Sequence, residues 1–304
     1  MKIENSSVVP GSGASDNSPT SCRGDDNVSS ANETNHASLP RDARLPINRC
    51  NLPAVVLGGL TYQRHPSPLY LDGVAELHAD LFRRLAVVEA PTARAEVFRD
   101  YMTVHFRLER PEEMGFTGRR KSRAKANYVR MIRGWSFDSD SREGAVLKGW
   151  VESRFGLMPR YHAQPLRDPS GEAYRRYLEM RSAGLYGTNA LESQFDLVYA
   201  YCQREIALRH PGARHVTLYR GVNRMADHEV LAKGTGGEHV ILLNNISSFT
   251  HSRERACEFG DYILAVDVPL TKIFFHCGLL PGVLQGEDEF LVIGGVVDVR
   301  LSTI

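Results

Sequence analysis

Charge of one sign is what this chain most plainly lacks: 37 Lys and Arg stand against 36 Asp and Glu in 304 residues, a formal net charge of +1. A near-neutral chain has no global field to steer it onto nucleic acid or an anionic membrane. Cysteine is scarce and unpatterned. Cys22, Cys50, Cys202, Cys257 and Cys277 form no CxxC pair and no metal-ligand spacing. That argues against a disulfide framework and a metal centre, and suits buried thiols in a reducing compartment. No apolar run is long enough to span a bilayer. Lys2 has no apolar stretch behind it, so no export signal is expected and the cytoplasm is the expected location. Large apolar side chains are nearly missing from residues 1–44, where Ser, Asn, Gly, Asp and Pro dominate. Such a segment buries too little surface to offset its ordering entropy, so a disordered tail is expected. Its acids, Glu4, Asp16, Asp25 and Asp26, argue against a transit peptide.

What remains, residues 45–304, has the composition of a globular protein, with 42% apolar and 24% charged residues over the whole chain. Ala54-Val55-Val56-Leu57 reads as a strand or an extended lead-in. From Asp72, a plausible N-cap, Val74, Leu77, Leu81, Leu85 and Val88 recur at helical spacing up to Pro91. A second helix is expected over 92–108, with Val97, Tyr101, Val104 and Leu108 on its apolar stripe and Pro111 beyond. Further helices are predicted at 144–155, carrying Trp150 and Phe155, and at 172–181, carrying Tyr174, Tyr177 and Leu178 inward. Another starts at Asn189, which forms a capping-box-like pair with Glu192; its stripe is Leu191, Phe195, Val198, Cys202 and Ile206, ended by His210-Pro211-Gly212. After Gly212 the texture turns to strands, at 215–220, 239–244, 262–268, 272–275, 289–294 and 296–301, with one helix near 252–259. The expected class is α+β: a helical part, 45–212, and a mostly antiparallel, strand-rich part, 213–304, in one domain.

Between Glu113 and Asp138 there is no acid but a basic block of Arg119, Arg120, Lys121, Arg123, Lys125, Arg130 and Arg133. Tyr128, Met131 and Ile132 make its second half an amphipathic helix. A solvated face is the common fate of such a run; an acidic protein partner or a phosphate-bearing ligand held by Arg are the functional readings. A partner-contact surface is favoured, and one short patch is poor support for nucleic acid.

Chemistry gathers in the strand-rich part. Arg220, at the end of a predicted strand, can hold a phosphate or carboxylate by paired hydrogen bonds, and Gly221 lets a ligand approach the backbone. The stretch Ile246-Ser247-Ser248-Phe249-Thr250-His251-Ser252 puts hydroxyls on a strand entering a helix, where they can orient a carboxylate or simply cap the helix. Then Glu287-Asp288-Glu289 precedes Phe290-Leu291-Val292-Ile293, a strand apolar on both faces. If the backbone is extended, Glu287 and Glu289 share a face and Asp288 faces away. Paired carboxylates demand a cation or a raised pKa; a solvated acidic turn is the plainer alternative.

Arg, then Ser-x-Thr, then Glu-x-Glu, in that order, resembles the arginine-directed mono-ADP-ribosyltransferases. The runs SSFTHSRERACEFGDYILAVDVPL, HCGLLPGVLQGEDEFLVIGG and GTNALESQFDLVYAYC are similar to the dinitrogenase reductase ADP-ribosyltransferases of nitrogen-fixing bacteria, a resemblance covering residue 45 onward. It implies NAD as substrate, dinitrogenase reductase as protein partner and a PII-type signalling protein as regulator. It implies that Arg220 and Gly221 contact NAD, that Ser248 positions the catalytic carboxylate, that Thr250 closes the motif, that Glu289 is catalytic and that Glu287 marks arginine specificity. Thr250-His251-Ser252 repeats the hydroxyl pattern two residues later; the spacing to Ala256 and Phe259 favours Ser248. Transfer to another protein, or a silent NAD- or partner-binding module, are the alternatives.

Overall fold

The computed structural model describes residues 38–108, 126–186, 188–225, 228–282 and 288–303. Its helices are α1 (Ala54–Leu57), α2 (Leu60–Arg64), α3 (Val74–Leu77), α4 (Ala79–Ala86), α5 (Pro91–Phe106), α6 (Tyr128–Phe137), α7 (Arg142–Phe155), α8 (Glu172–Gly184), α9 (Ala190–Arg209) and α10 (Arg253–Cys257). Strands β1 (Arg160–Tyr161) and β2 (Gln164–Pro165) form a small ribbon. Strands β3 (His215–Val222), β4 (Glu229–Lys233), β5 (Glu238–Leu242), β6 (Ile246–Thr250), β7 (Tyr262–Pro269), β8 (Ile273–His276), β9 (Glu289–Ile293) and β10 (Val296–Thr303) build one sheet. Its order is β4-β5-β10-β7-β3-β6-β9-β8, and every neighbouring pair is antiparallel. The α+β class expected from the sequence is the class observed.

Helices cover the β8–β9 end of the sheet because α9 carries a continuous apolar stripe. Leu191, Phe195, Val198, Cys202 and Ile206 are all buried, as their spacing predicts. Trp150 of α7 joins this stripe to the sheet, its ring 4.7 Å from that of Phe274 and 6.0 Å from that of Phe195. Its indole N–H donates to Asp196 at 2.7 Å, so the polar end of a wholly buried ring is satisfied.

The helix that matters most for the site is α6. The Asn127 side chain accepts from the Val129 amide at 2.8 Å and starts it. Tyr128, Met131, Ile132 and Trp135 form its buried stripe. Its first turn is pinned to α9 by Gln194, whose side chain accepts from the Tyr128 amide at 2.8 Å and donates to the Ala126 carbonyl at 3.0 Å. Gly134 lets α6 lie close against α7, since a Cβ there would collide with the Glu143 side chain. Helix α7 starts just beyond, capped by Ser141.

Several local expectations are corrected. Residues 54–57 form a single helical turn after Pro53, burying Ala54 and Leu57. The helix expected from Asp72 is two helices broken at His78; Gly73, in a left-handed conformation (φ 78°), takes the N-cap position, and Leu77 points into solvent. Pro91 begins α5 rather than closing its predecessor, as suits a residue without an amide hydrogen. The buried face of α5 is Arg94, Ala95, Phe98 and Met102, while Val104 is exposed. Arg94 takes an apolar position there because it pairs with buried Glu205 through bonds of 2.7 and 2.9 Å. Leu178 is likewise exposed. Asn189 makes no side-chain cap, because Glu192 is drawn into ion pairs with Arg154 and Arg181. Strand β4 has no counterpart among the expected strands. Of the tail expected over 1–44, residues 1–37 lie outside the described part, and packing starts at Leu39, which is 2% exposed.

Candidate active site

Strand β3 meets its two neighbours unequally. Along β7 it is paired from His215↔Pro269 to Val222↔Tyr262, but along β6 only Tyr219↔Thr250 are partnered. The sheet therefore opens between β3 and β6. A cavity of about 840 Å³ occupies the opening, lined by Arg220, Gly221, Ser248, Thr250 and Glu289 from the sheet and by Trp135 and Ser136 from α6. That volume is in the range of small-molecule sites.

In β6, Ser248 and Thr250 share a face, and the register sets Thr250 opposite Glu289 and Ser248 opposite Leu291. The Ser248 hydroxyl donates to Glu289 Oε1 at 2.6 Å. The direction of this bond is fixed by Trp135, whose indole N–H donates to Ser248 Oγ at 2.8 Å. An indole nitrogen only donates, so Ser248 must accept there and its own proton is left for the carboxylate. Buried Lys148, ion-paired with Asp140, places its ammonium over the Trp135 ring, 5.8 Å from the centroid. The second carboxylate oxygen, Glu289 Oε2, accepts from Ser136 Oγ at 2.6 Å. Both oxygens of Glu289 are thus held by serine hydroxyls from separate elements.

Arg220 donates through Nη1 to the Ser248 carbonyl at 2.7 Å, bridging the gap where ladder pairing is missing. Burial pushes its guanidinium below the usual arginine range, and the Glu289 carboxylate partly offsets that. An arginine remains a cation even so, so a positive group stands beside the Glu289 carboxylate in the opening. Gly221 has a structural reason to be glycine: a Cβ there would run into the Ala256 carbonyl oxygen of α10. Thr250 turns its hydroxyl toward the Ser252 amide, accepting at 3.2 Å. Ser252 in turn caps α10, accepting from Arg255 N at 3.1 Å. Ser248, not Ser252, is therefore the hydroxyl that reaches Glu289.

The carboxylate pair is only half described. Glu287 lies outside the described residues, and so do Arg119, Arg120, Lys121, Arg123 and Lys125 of the basic block. The strand begins at Glu289, and Asp288 has φ 22°, so the extended alternation assumed for 287–289 does not run through Asp288. Asp288 Oδ2 instead lies 3.7 Å from His251 Nε2. Of the basic block, Arg130 reaches Glu143 at 3.7 Å and Arg133 lines the cavity. Trp135 and Ser136 escaped sequence reasoning altogether; the available signal was a Trp-Ser pair closing an otherwise basic helix. Among the described residues, no cluster of His, Cys, Asp and Glu could hold a metal, and no helix is long and apolar enough to cross a membrane.

A second, more polar cavity of about 500 Å³ lies elsewhere on the sheet, lined by Gln63, Arg64, His215, Asp267, Asp298 and Arg300. It contains the Arg64–Asp298 ion pair, at 2.9 Å, and none of the motif residues.

Comparison with known proteins gives the arrangement a context. No solved structure matches the chain. The NAD(+)-dinitrogen-reductase ADP-D-ribosyltransferase of Rhodospirillum rubrum is 36% identical over 260 residues, covering 84% of this chain and 94% of that protein. The family model described as dinitrogenase reductase ADP-ribosyltransferase matches residues 47–301, which takes in the helical part and every described site residue. The chain belongs to the dinitrogenase reductase ADP-ribosyltransferase family.

Proposed function

We propose that this protein is a mono-ADP-ribosyltransferase that moves ADP-ribose from NAD to an arginine of dinitrogenase reductase, reversibly switching off nitrogen fixation. The observation that carries the reading is the Ser248–Glu289 hydrogen bond inside a cavity that also holds Arg220, in a chain of this family. NAD brings its own leaving group, a cationic nicotinamide, so the protein need not supply a strong general acid. As the glycosidic bond breaks, positive charge develops on the ribose, as in glycoside hydrolysis. Glu289, presented as a carboxylate by two hydroxyl donors, stabilises that charge and accepts from a ribose hydroxyl. Arg220 supplies the cation for the pyrophosphate or the adjoining ribose, and Gly221 and Thr250 border the same space.

The acceptor guanidinium is protonated at physiological pH and is a poor nucleophile. Glu287 is assigned to orient it and take its proton, a role that rests on the Glu-x-Glu motif. One comparison tests both assignments: labelled NAD incubated with dinitrogenase reductase and either Glu289→Gln or Glu287→Gln. The first should lose transfer and NAD hydrolysis together; the second should lose transfer and keep hydrolysis. A Glu287→Gln enzyme that modifies its target at the normal rate would remove Glu287 from the mechanism.

Control by a PII-type protein enters from the family resemblance, with the basic block or the rest of the helical part as its contact. Charge reversal at Arg130 should then weaken regulator binding, and unchanged binding would move the contact off this helix. A cytoplasmic setting fits the four described cysteines, all of them free thiols.

A further inference from the structure

Ser136 stands out among the groups around Glu289 because the sheet does not supply it. It sits one residue from the end of α6, it is exposed, and its contact with Glu289 spans 153 positions of sequence. A bond of 2.6 Å from a hydroxyl to a carboxylate is at the short, charge-assisted end of the range. Ser136 also has a second acceptor, the Ile132 carbonyl one turn back in its own helix, at 3.3 Å. A serine hydroxyl carries one proton and serves one acceptor fully at a time. The closer one here is Glu289.

We propose that Ser136 is a positioning residue for Glu289: it fixes the carboxylate plane from the side opposite Ser248 and keeps that hold while the ribose hydroxyl donates to a remaining lone pair of the same carboxylate. Two observations support this. Ser248 holds only Oε1, and a carboxylate held at one oxygen still turns about its final torsion, which has a broad energy profile. The end of α6 is firmly placed, because Trp135 beside it is buried and bonded to Ser248, and the start of the helix is tied to α9 by Gln194. The inference rests on Glu289 being the carboxylate that serves the ribose.

The test compares Ser136→Ala, Ser136→Thr and Glu289→Gln in the full-length protein, with steady-state rates of ADP-ribose transfer and NAD hydrolysis at varied NAD. Ser136→Ala should lower kcat about 10-fold in both reactions, the order expected for losing a hydrogen bond to a charged group. The KM for NAD should change less than about 2-fold, because a positioning bond acts on the transition state rather than on binding. The melting temperature should move by no more than about 2 °C, since the side chain is exposed. Ser136→Thr, which keeps the hydroxyl, should recover most of the rate. Glu289→Gln should be inactive. If Glu289→Gln is inactive while Ser136→Ala matches wild type, the positioning role is wrong and the proposed function stands. A loss that Thr does not restore, or one that comes with lowered thermal stability, marks a merely structural contact and also overturns the role. If Glu289→Gln retains activity, the reading of Glu289 fails and this inference with it.

Discussion

The two edges of β3 make an informative contrast. Along β7 its backbone is paired at eight register positions, and the side chain between, Leu218, is completely buried. Along β6 it has one, and what joins the strands instead is the Arg220 side chain reaching the Ser248 carbonyl. Backbone ladders satisfy donors and acceptors in place and leave nothing for a ligand. Where the ladder stops, side chains take over: Arg220 from the strand itself, and Trp135 and Ser136 from α6, far away in the sequence. One strand thus has an edge that holds the fold and an edge that borders the proposed site.

This contrast is breakable. Leu218→Ala, which empties a fully buried position of β3, should cost about 2–5 kcal/mol of stability by denaturant titration and leave the KM for NAD near wild type. Arg220→Ala, on the open side, should lower kcat/KM for NAD by roughly 10- to 100-fold, the loss of a charge-assisted donor, and Arg220→Lys should recover part of it. If Leu218→Ala chiefly impairs NAD use, or Arg220→Ala leaves it alone, the division of β3 into a structural edge and a functional edge fails. A smaller effect concerns acid. His276, in the outer strand β8, stacks on Phe290 with ring centroids 5.7 Å apart. Burial pushes its pKa down to about 4, with Arg209 and His210 adding to the effect. Its folded pKa lies below the ordinary value of 6.5, so the unfolded chain takes up the proton first. The stability contributed by neutral His276 is present above pH 6.5 and is lost as pH falls toward 4. The melting temperature should drop by about 2–5 °C from this group over that window. His276→Phe should flatten the dependence; an unchanged acid profile would assign it to other groups.

The part of this organisation that is written locally was legible in the sequence. Alternation and turn residues marked six strands of the sheet, and the stripe of α9 was read residue by residue because its spacing and its burial coincide. The order of Arg220, Ser248 and Glu289 was legible because each lies in a short strand segment, and three adjacent strands, β3, β6 and β9, bring them together. Illegible features had non-local causes. Strand β4 is a half-buried edge strand with a register shift at Val230/Ala232, so it shows no clean two-residue period. The stripe of α5 was misread because a buried Arg94–Glu205 pair occupies a position that the apolar pattern treats as polar. The Asn189 cap was lost to the ionic network around Arg154. Trp135 and Ser136 reach their partners across 113 and 153 residues, and no periodicity within a window can report such a contact.

The claim beneath all of this is that NAD is held in the opening between β3 and β6. A crystal structure of the Glu289→Gln protein soaked with NAD tests it most directly, since that variant should hold the dinucleotide without cleaving it. The account predicts density for the nicotinamide ribose within hydrogen-bonding distance of residue 289 and the rest of the dinucleotide against Arg220. NAD lying instead in the polar cavity of Gln63, His215 and Arg300, with the β3–β6 opening holding only solvent, would contradict it.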